Sequence, residues 1–330
     1  MALSLTIAFS SHRSETLPLA ADLMAAHDAI VVEEPPSIDF ERMLHGDLAL
    51  ADYLLTADYE YPAFAEASCR LLQRLHRRGR RIIPCEPFMA RLIQIHEHLT
   101  DGGRPDELAA DTDLWPVYQA EREATGRLLA FYRASADRDF DAMTATAAVF
   151  AAADAARFVL RDRLRAAALA EILADGGECV YVEAGYLHLR LLRELRRRLP
   201  AAAVIKPVYL LRQVYRAAGQ HSHLYGPGDL LTLGWIFNRP PALARQRLLA
   251  ARSLVYNQLI VKEEVAPGAD HFPDAHDDLA VIRYVNQLSR EDCRRIYPRI
   301  AGKDPRAARL AADGFPQGDG RSSIGQADPV

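Results

Sequence analysis

The stretch ECVYVEAGYLHLRLLRELRRRL, residues 178–199, decides the fold class of this chain. It begins with an apolar run, Cys179 to Ala184, which is typical of a buried strand, and Gly185 then permits a sharp turn. His188 follows in the first turn of an amphipathic helix, just beyond the carboxyl end of the strand, where open α/β sheets bind ligands. Because a helix start disfavours a second positive charge, we expect a neutral imidazole that can bind a metal or accept a proton.

Four further apolar runs have the length of strands, and helical segments separate them: residues 5–10, 29–32, 81–85 and 202–209. Residues 1–300 are therefore expected to form a single α/β domain, with a central mostly parallel sheet flanked by helices. Residues 88–175 contain no strand pattern, which predicts a long helical insertion between strands three and four. Residues 210–300 predict a helical C-terminal region with polar loops at 221–229 and 267–278, and residues 301–330 predict a poorly ordered tail.

The composition is that of a soluble globular protein, with 330 residues, 50% hydrophobic, 25% charged and a net charge of −4. No basic excess points to nucleic acid or to an anionic membrane. The N-terminus lacks the pattern of a signal peptide, and we see no run of the ~18 apolar residues that a membrane span requires. The four cysteines never form a CxxC pair, so the sequence predicts neither a disulfide framework nor a zinc ribbon. We therefore expect a cytoplasmic protein.

Histidines and carboxylates follow four of the predicted strands. If the strands are parallel, these side chains meet at one edge of the sheet. Such a set could bind Mn, Fe, Co or Zn, or it could perform acid–base chemistry without a metal. Adjacent residues of a strand point to opposite faces, so at most one of Glu33 and Glu34 should face the site. The residues are His12 and Glu15 after strand one, Glu33 and Glu34 after strand two, Glu86 after strand three, and Glu183 and His188 at strand four.

Two further clusters have both a functional and a structural interpretation. Arg157 and Arg161 share one face of a predicted long helix, where they either meet solvent or reach a carboxylate or an oxyanion. A second histidine group in C-terminal loops could bind a metal, although loop histidines are more often surface residues. Its members are His221, His223, His271 and His276. Neither a GxSxG elbow nor a GxxxxGK[ST] phosphate loop occurs.

Three motifs resemble the Tiki/TraB/ChaN/erythromycin-esterase superfamily. Gly185-Tyr186-Leu187-His188 matches the second GxxH motif, and Arg161-Asp162 opens a block similar to the one that precedes it. Phe9-Ser10-Ser11-His12 is similar to the first motif without its glycine, and Glu15 follows His12 as in the erythromycin-esterase branch. Glu33 or Glu34 matches the acidic residue that ends the second strand in the superfamily. The resemblance implies an α/β fold and one of several activities, namely metal-dependent peptide cleavage, macrolactone ester hydrolysis or haem binding.

The sequence therefore predicts a hydrolase of an amide, peptide or ester bond, acting on a small-molecule or peptide substrate. His12 and His188 would be metal ligands or a general base, helped by Glu15, Glu34 and Glu86, and Arg161 would orient a carboxylate or stabilise the oxyanion. In the metal version, a divalent Mn, Co, Zn or Fe ion is held by His12, Glu34, Glu86 and His188. One alternative is a non-catalytic protein that binds haem or iron through the same histidines. A second is an interaction protein without an active site.

Overall fold

A computed structural model describes residues 3–56, 59–174, 179–220 and 224–314. The described residues form five strands, all parallel, in the order β3-β2-β4-β1-β5. The predicted α/β class is confirmed, and each strand begins within two residues of the expected position. The strands are β1 Ser4–Ser10, β2 Ala29–Val32, β3 Arg81–Pro84, β4 Cys179–Gly185 and β5 Val204–Tyr209.

The chain forms two compact units. The first comprises residues 1–120 and 158–211, and the second residues 121–157 and 212–330. Two long helices contribute residues to both units: α6 Leu114–Ala136 and α7 Phe140–Ile172. That residues 1–300 behave as a single domain stays a prediction.

The first unit surrounds the sheet with helices on both of its faces. Phe9, Val31 and Val182 point to the face that packs against α7 and against α8 Leu189–Arg198. Ile30, Val32 and Tyr181 point to the opposite face, which packs against α1 Leu17–Ala25, α2 Ile38–His45 and α4 Pro62–Arg77. The remaining helices of this unit are α3 Leu50–Leu55 and α5 Pro87–Thr100. Gly46 has a φ of 88° and ends α2 in a left-handed cap, which separates α2 from α3.

The predicted helical insertion is confirmed. α5, a short 3-10 helix at Glu107–Ala110, α6 and α7 follow one another between β3 and β4. α7 is 33 residues long, and 18 of them reach a mean hydropathy of 1.4, so by length and composition it could cross a membrane. Our expectation that no such run exists was therefore wrong. Core helices of soluble proteins pass the same test, and the absence of a membrane partner stays a prediction.

The second unit is helical, as predicted, but three of its helices begin within the expected loops at 221–229 and 267–278 or within the expected tail. These are α10 Pro227–Ile236, α12 Pro273–Asn286 and α14 Pro305–Asp313. Each begins with a proline in its first turn, where the missing N–H costs nothing, so these prolines start helices instead of marking breaks. The other helices are α9 Arg212–Ala217, α11 Leu243–Leu259 and α13 Arg290–Ile300. Ala308 and Ala312 of α14 are buried in the core of this unit, so the predicted tail is partly folded.

Candidate functional site

The carboxyl edge of the sheet surrounds a cavity of about 490 Å³ in the first unit. Four residues that the sequence singled out as catalytic or metal-binding line it: His12, Glu34, Arg161 and His188. Glu33 and Glu183 line it as well, together with aromatic residues from the helical side. The parallel sheet therefore gathers the side chains that end β1, β2 and β4, as the strand order requires.

Glu33 and Glu34 lie on opposite sides of the sheet edge, because the alternation of β2 continues beyond its last residue. Glu33 follows Val31 towards α7, where it meets Arg161, Arg165 and His188. Glu34 follows Val32 towards α4 and acts electrostatically on Tyr59 and Cys69. The site thus has two halves. We call the side of Glu33 the inner half and the side of Glu34 the outer half.

His188 is held between two carboxylates in the inner half. Its Nδ1 lies 2.5 Å from Oδ1 of Asp162, and its Nε2 lies 3.0 Å from Oε1 of Glu33. Burial alone would lower the pKa of His188, but the charges of Glu33 and Asp162 outweigh it and raise the pKa to about 9. Our prediction that the imidazole of His188 is neutral is therefore wrong. A helix dipole contributes about 0.3–1 kcal/mol, whereas a unit charge 4 Å away in a protein contributes about 4 kcal/mol.

Glu33 is the centre of the inner half. Its Oε2 accepts a hydrogen bond from the N–H of Gly185 at 2.8 Å and pairs with NH1 of Arg165 at 3.1 Å, and its Oε1 meets Arg161 at 3.2 Å. Burial would raise the pKa of Glu33, but the charges of His188 and Arg165 hold it well below its usual value. An ionised carboxylate that already has these partners is a structural anchor and a poor proton acceptor.

Arg165 joins the ends of three strands. It is fully buried, and besides its ion pair with Glu33 it donates to the carbonyl oxygens of Cys85 at 2.9 Å and Glu183 at 2.7 Å. These partners end β2, β3 and β4. Sequence reasoning missed Arg165, and it used Asp162 only as part of a motif. A signal was available, since Phe158, Arg161, Asp162 and Arg165 recur at i, i+3, i+4 and i+7 on one face of α7.

His12 and Glu34 dominate the outer half. His12 has a φ of 53°, its N–H donates to Oγ of Ser10, and its ring stacks on Phe64 with centroids 5.5 Å apart. Its Nε2 lies 4.0 Å from Oε1 of Glu183 and has no hydrogen-bond partner among the described residues. Burial, followed by the charges of Glu183, Glu33 and Glu86, raises the pKa of Glu34 to about 8. At neutral pH Glu34 is therefore mostly a neutral acid.

The other residues singled out in the sequence lie away from this cavity. Glu15 is buried in a 3-10 turn after β1 and does not line the cavity. Glu86 is buried, lies 3.5 Å from NH2 of Arg161, and lines a different cavity. His276 meets Asp270 in an exposed pair, and His271 is exposed. His221 and His223 lie outside the described residues.

The predicted metal ligands do not fit a metal ion as they are arranged. Both ring nitrogens of His188 face carboxylates, and two guanidinium groups next to Glu33 would repel a cation. Among the residues that the structure describes, no three His, Cys, Asp or Glu side chains are grouped closely enough to hold a metal. The donor set of His12, Glu34, Glu86 and His188 therefore stays a prediction that this geometry does not support.

Gly185 is required for space and not for a left-handed backbone. A Cβ atom at this position would lie 3.3 Å from Cδ2 of His188 and 3.8 Å from Oε2 of Glu33. Since both side chains are fixed by their ion pairs, neither can move away easily. The sharp turn expected from the sequence is present, since the N–H of His188 donates to the carbonyl oxygen of Gly185 at 2.9 Å, and a side chain at 185 would crowd it.

Comparison with known proteins identifies one relative that spans nearly the whole chain. An uncharacterized protein from Archaeoglobus fulgidus is 26% identical over 295 residues, which is 89% of this chain and 98% of the relative. No family model matches the chain, and no solved structure matches it significantly. The relative carries no functional description, so the geometry of the site must support the functional argument.

We expect Arg165→Met to lower the free energy of unfolding by about 3–5 kcal/mol, because it removes one partner of a buried ion pair. It also leaves two buried carbonyl groups without their donor. The matched control is Arg163→Met, an exposed arginine on the same helix, which should change stability by less than ~0.5 kcal/mol. Urea unfolding measures both, and equal losses would contradict the assigned role of Arg165.

Because His188 is protonated in the folded chain, the free energy of unfolding should fall as the pH becomes alkaline. Its pKa is about 9 in the folded chain and ~6.5 in the unfolded chain, so its contribution is complete below ~6.5 and is lost as pH rises through about 9. The difference in unfolding free energy between wild type and His188→Gln should fall by about 3 kcal/mol from pH 6 to pH 10. A difference that stays constant over this range would mean that the imidazole is neutral when folded.

Proposed function

We propose that this protein hydrolyses an ester or amide bond with His12 as general base and Glu34 as general acid. The observation that carries the proposal is the environment of Glu34. The half-buried carboxyl of Glu34, whose pKa is raised to about 8, lines the same cavity as a histidine whose Nε2 lacks a hydrogen-bond partner among the described residues. A carboxyl group that its environment keeps protonated is a usual basis for assigning the general acid of a site.

The chemistry follows from these positions. His12 accepts a proton from a water molecule, whose oxygen attacks the carbonyl carbon of the substrate. Arg161 lines the cavity, and its Nε–H has no hydrogen-bond partner among the described residues, so its guanidinium group can stabilise the oxyanion. Glu34 then donates its proton to the leaving oxygen or nitrogen as the carbon–heteroatom bond breaks. Transfer of a proton from His12 to Glu34, directly or through water, restores the starting state.

Apart from Arg161, the inner half supports this chemistry without taking part in it. His188, Asp162, Glu33 and Arg165 are paired with one another, and their buried charges fix the backbone at the ends of β2, β3 and β4. The resemblance to the Tiki/TraB/ChaN/erythromycin-esterase superfamily is consistent with hydrolysis, since ester and peptide cleavage are among its activities. In this proposal the histidine of the GxxH match positions the site and does not act as the base.

The proposal is tested with purified protein and a panel of simple esters and anilides. His12→Ala should lower kcat/KM by about 10²–10⁴-fold, the usual contribution of a general base. Glu34→Gln should lower it by a similar factor, and in wild type kcat/KM should fall above pH ~8 as Glu34 loses its proton.

His271→Ala is the control, because His271 is an exposed histidine of the other unit and should leave kcat/KM unchanged. A kcat/KM equal to that of wild type in both His12→Ala and Glu34→Gln would contradict the roles assigned to the two residues. Absence of turnover on every ester and anilide would count against hydrolysis itself.

The metal-dependent hydrolase, the haem- or iron-binding protein and the interaction protein remain alternatives. Elemental analysis and a visible absorption spectrum of the purified protein separate them. Bound Mn, Co, Zn or Fe with chelator-sensitive turnover would favour the metal enzyme, and a Soret band would favour haem. The small-molecule or peptide substrate and the cytoplasmic location also remain predictions.

A further inference from the structure

We infer that the outer half of the cavity selects esters and amides whose leaving group is uncharged and apolar. The inference rests on the proposed hydrolysis and names the substrate class of that same site. The side of the cavity beside α2 and α4 is built mainly from apolar side chains. These are Phe40, Phe64, Ala65, Cys69 and Leu72, with Val32 and Tyr59 beside them, while Ser68 and, at the start of α4, Glu60 and Tyr61 are the polar residues on this side.

Glu34, the proposed proton donor, lines the same cavity as this apolar wall. The charge of Glu34 adds to burial in raising the pKa of the Cys69 thiol to about 12, and it also raises the pKa of Tyr59. Both residues line the same cavity. A leaving atom that takes its proton from Glu34 must therefore sit at the wall, and the rest of the leaving group must extend along it.

Charged leaving groups are disfavoured at this wall for a physical reason. Phe40, Cys69 and Leu72 are buried and offer neither a countercharge nor strong hydrogen bonds. Glu34 is mostly neutral at neutral pH and Glu33 is already paired with Arg165 and His188, so neither offers a cation a free countercharge, and a negative leaving group would also meet the carboxylate of Glu183. An apolar ring has no strongly bound water to lose, and its transfer from water to an apolar wall is favourable.

The test compares three acetate esters of phenols that differ only in a remote substituent. 4-Ethylphenyl acetate carries an uncharged group, and its partners carry a carboxymethyl or a 2-(trimethylammonio)ethyl group at the same position. The three esters have nearly the same intrinsic reactivity, so differences in kcat/KM report how well the pocket accepts each leaving group. We expect wild type to prefer the ethyl ester by tenfold or more over both charged esters. Equal rates, or a preference for the cationic or the anionic ester, would overturn the inference.

Two variants of α4 locate the preference in the wall. Ala65 is a buried wall residue, and Ala65→Leu should lower kcat/KM for 4-ethylphenyl acetate by about tenfold relative to methyl acetate. Ala63 is exposed two residues earlier on the same helix, and Ala63→Leu should leave that ratio unchanged. Loss of rate on both esters by the same factor in Ala65→Leu would contradict a leaving-group pocket.

A binding measurement separates failure of this inference from failure of the proposed function. 4-Ethylphenol, the product alcohol, is titrated into wild type, Ala65→Leu and Ala63→Leu, and chemical shifts or heats are recorded. If no ester is cleaved but 4-ethylphenol binds to wild type and to Ala63→Leu and not to Ala65→Leu, hydrolysis is rejected and the apolar pocket is retained. No binding to wild type would reject the pocket whether or not the esters are cleaved.

Discussion

The first unit depends on a buried negative charge at the end of β2. The carboxylate of Glu33 is surrounded by the guanidinium groups of Arg161 and Arg165, the imidazolium of His188 and the N–H of Gly185. Ions buried in this way are tolerated only when they are paired, and removing one partner leaves another charge uncompensated. The ends of β2, β3 and β4 are therefore fixed by electrostatics as well as by the sheet.

The pleat of β2 separates this anchor from the proposed chemistry. Adjacent carboxyl groups at the same strand end have opposite environments. Glu33 is paired and ionised, whereas Glu34 is half-buried beside other carboxylates and mostly protonated. Glu33 stabilises the fold, whereas Glu34 is costly to bury. Groups that destabilise a fold in this way are often kept because a site needs them.

The strands and their common edge could be predicted because the signals are local: apolar runs, and histidines or glutamates directly after them. The alternation of Glu33 and Glu34 was also predictable, but their partners were not. Asp162 and Arg165 reach His188, Glu33 and two backbone carbonyls across 18 to 132 positions of sequence, and only the packing of α7 on the sheet brings them together. The charge of His188 was misjudged for the same reason, since its neighbouring carboxylates are distant in sequence.

The central claim is that Glu33 anchors the fold and Glu34 serves the chemistry. It is tested most directly by the free energies of unfolding of Glu33→Gln and Glu34→Gln at pH 7. Glu33→Gln should lose about 3–5 kcal/mol. Glu34 is protonated when folded and ionised when unfolded, so Glu34→Gln should leave stability unchanged or raise it by up to about 3 kcal/mol. Similar losses in both variants would contradict the division of roles.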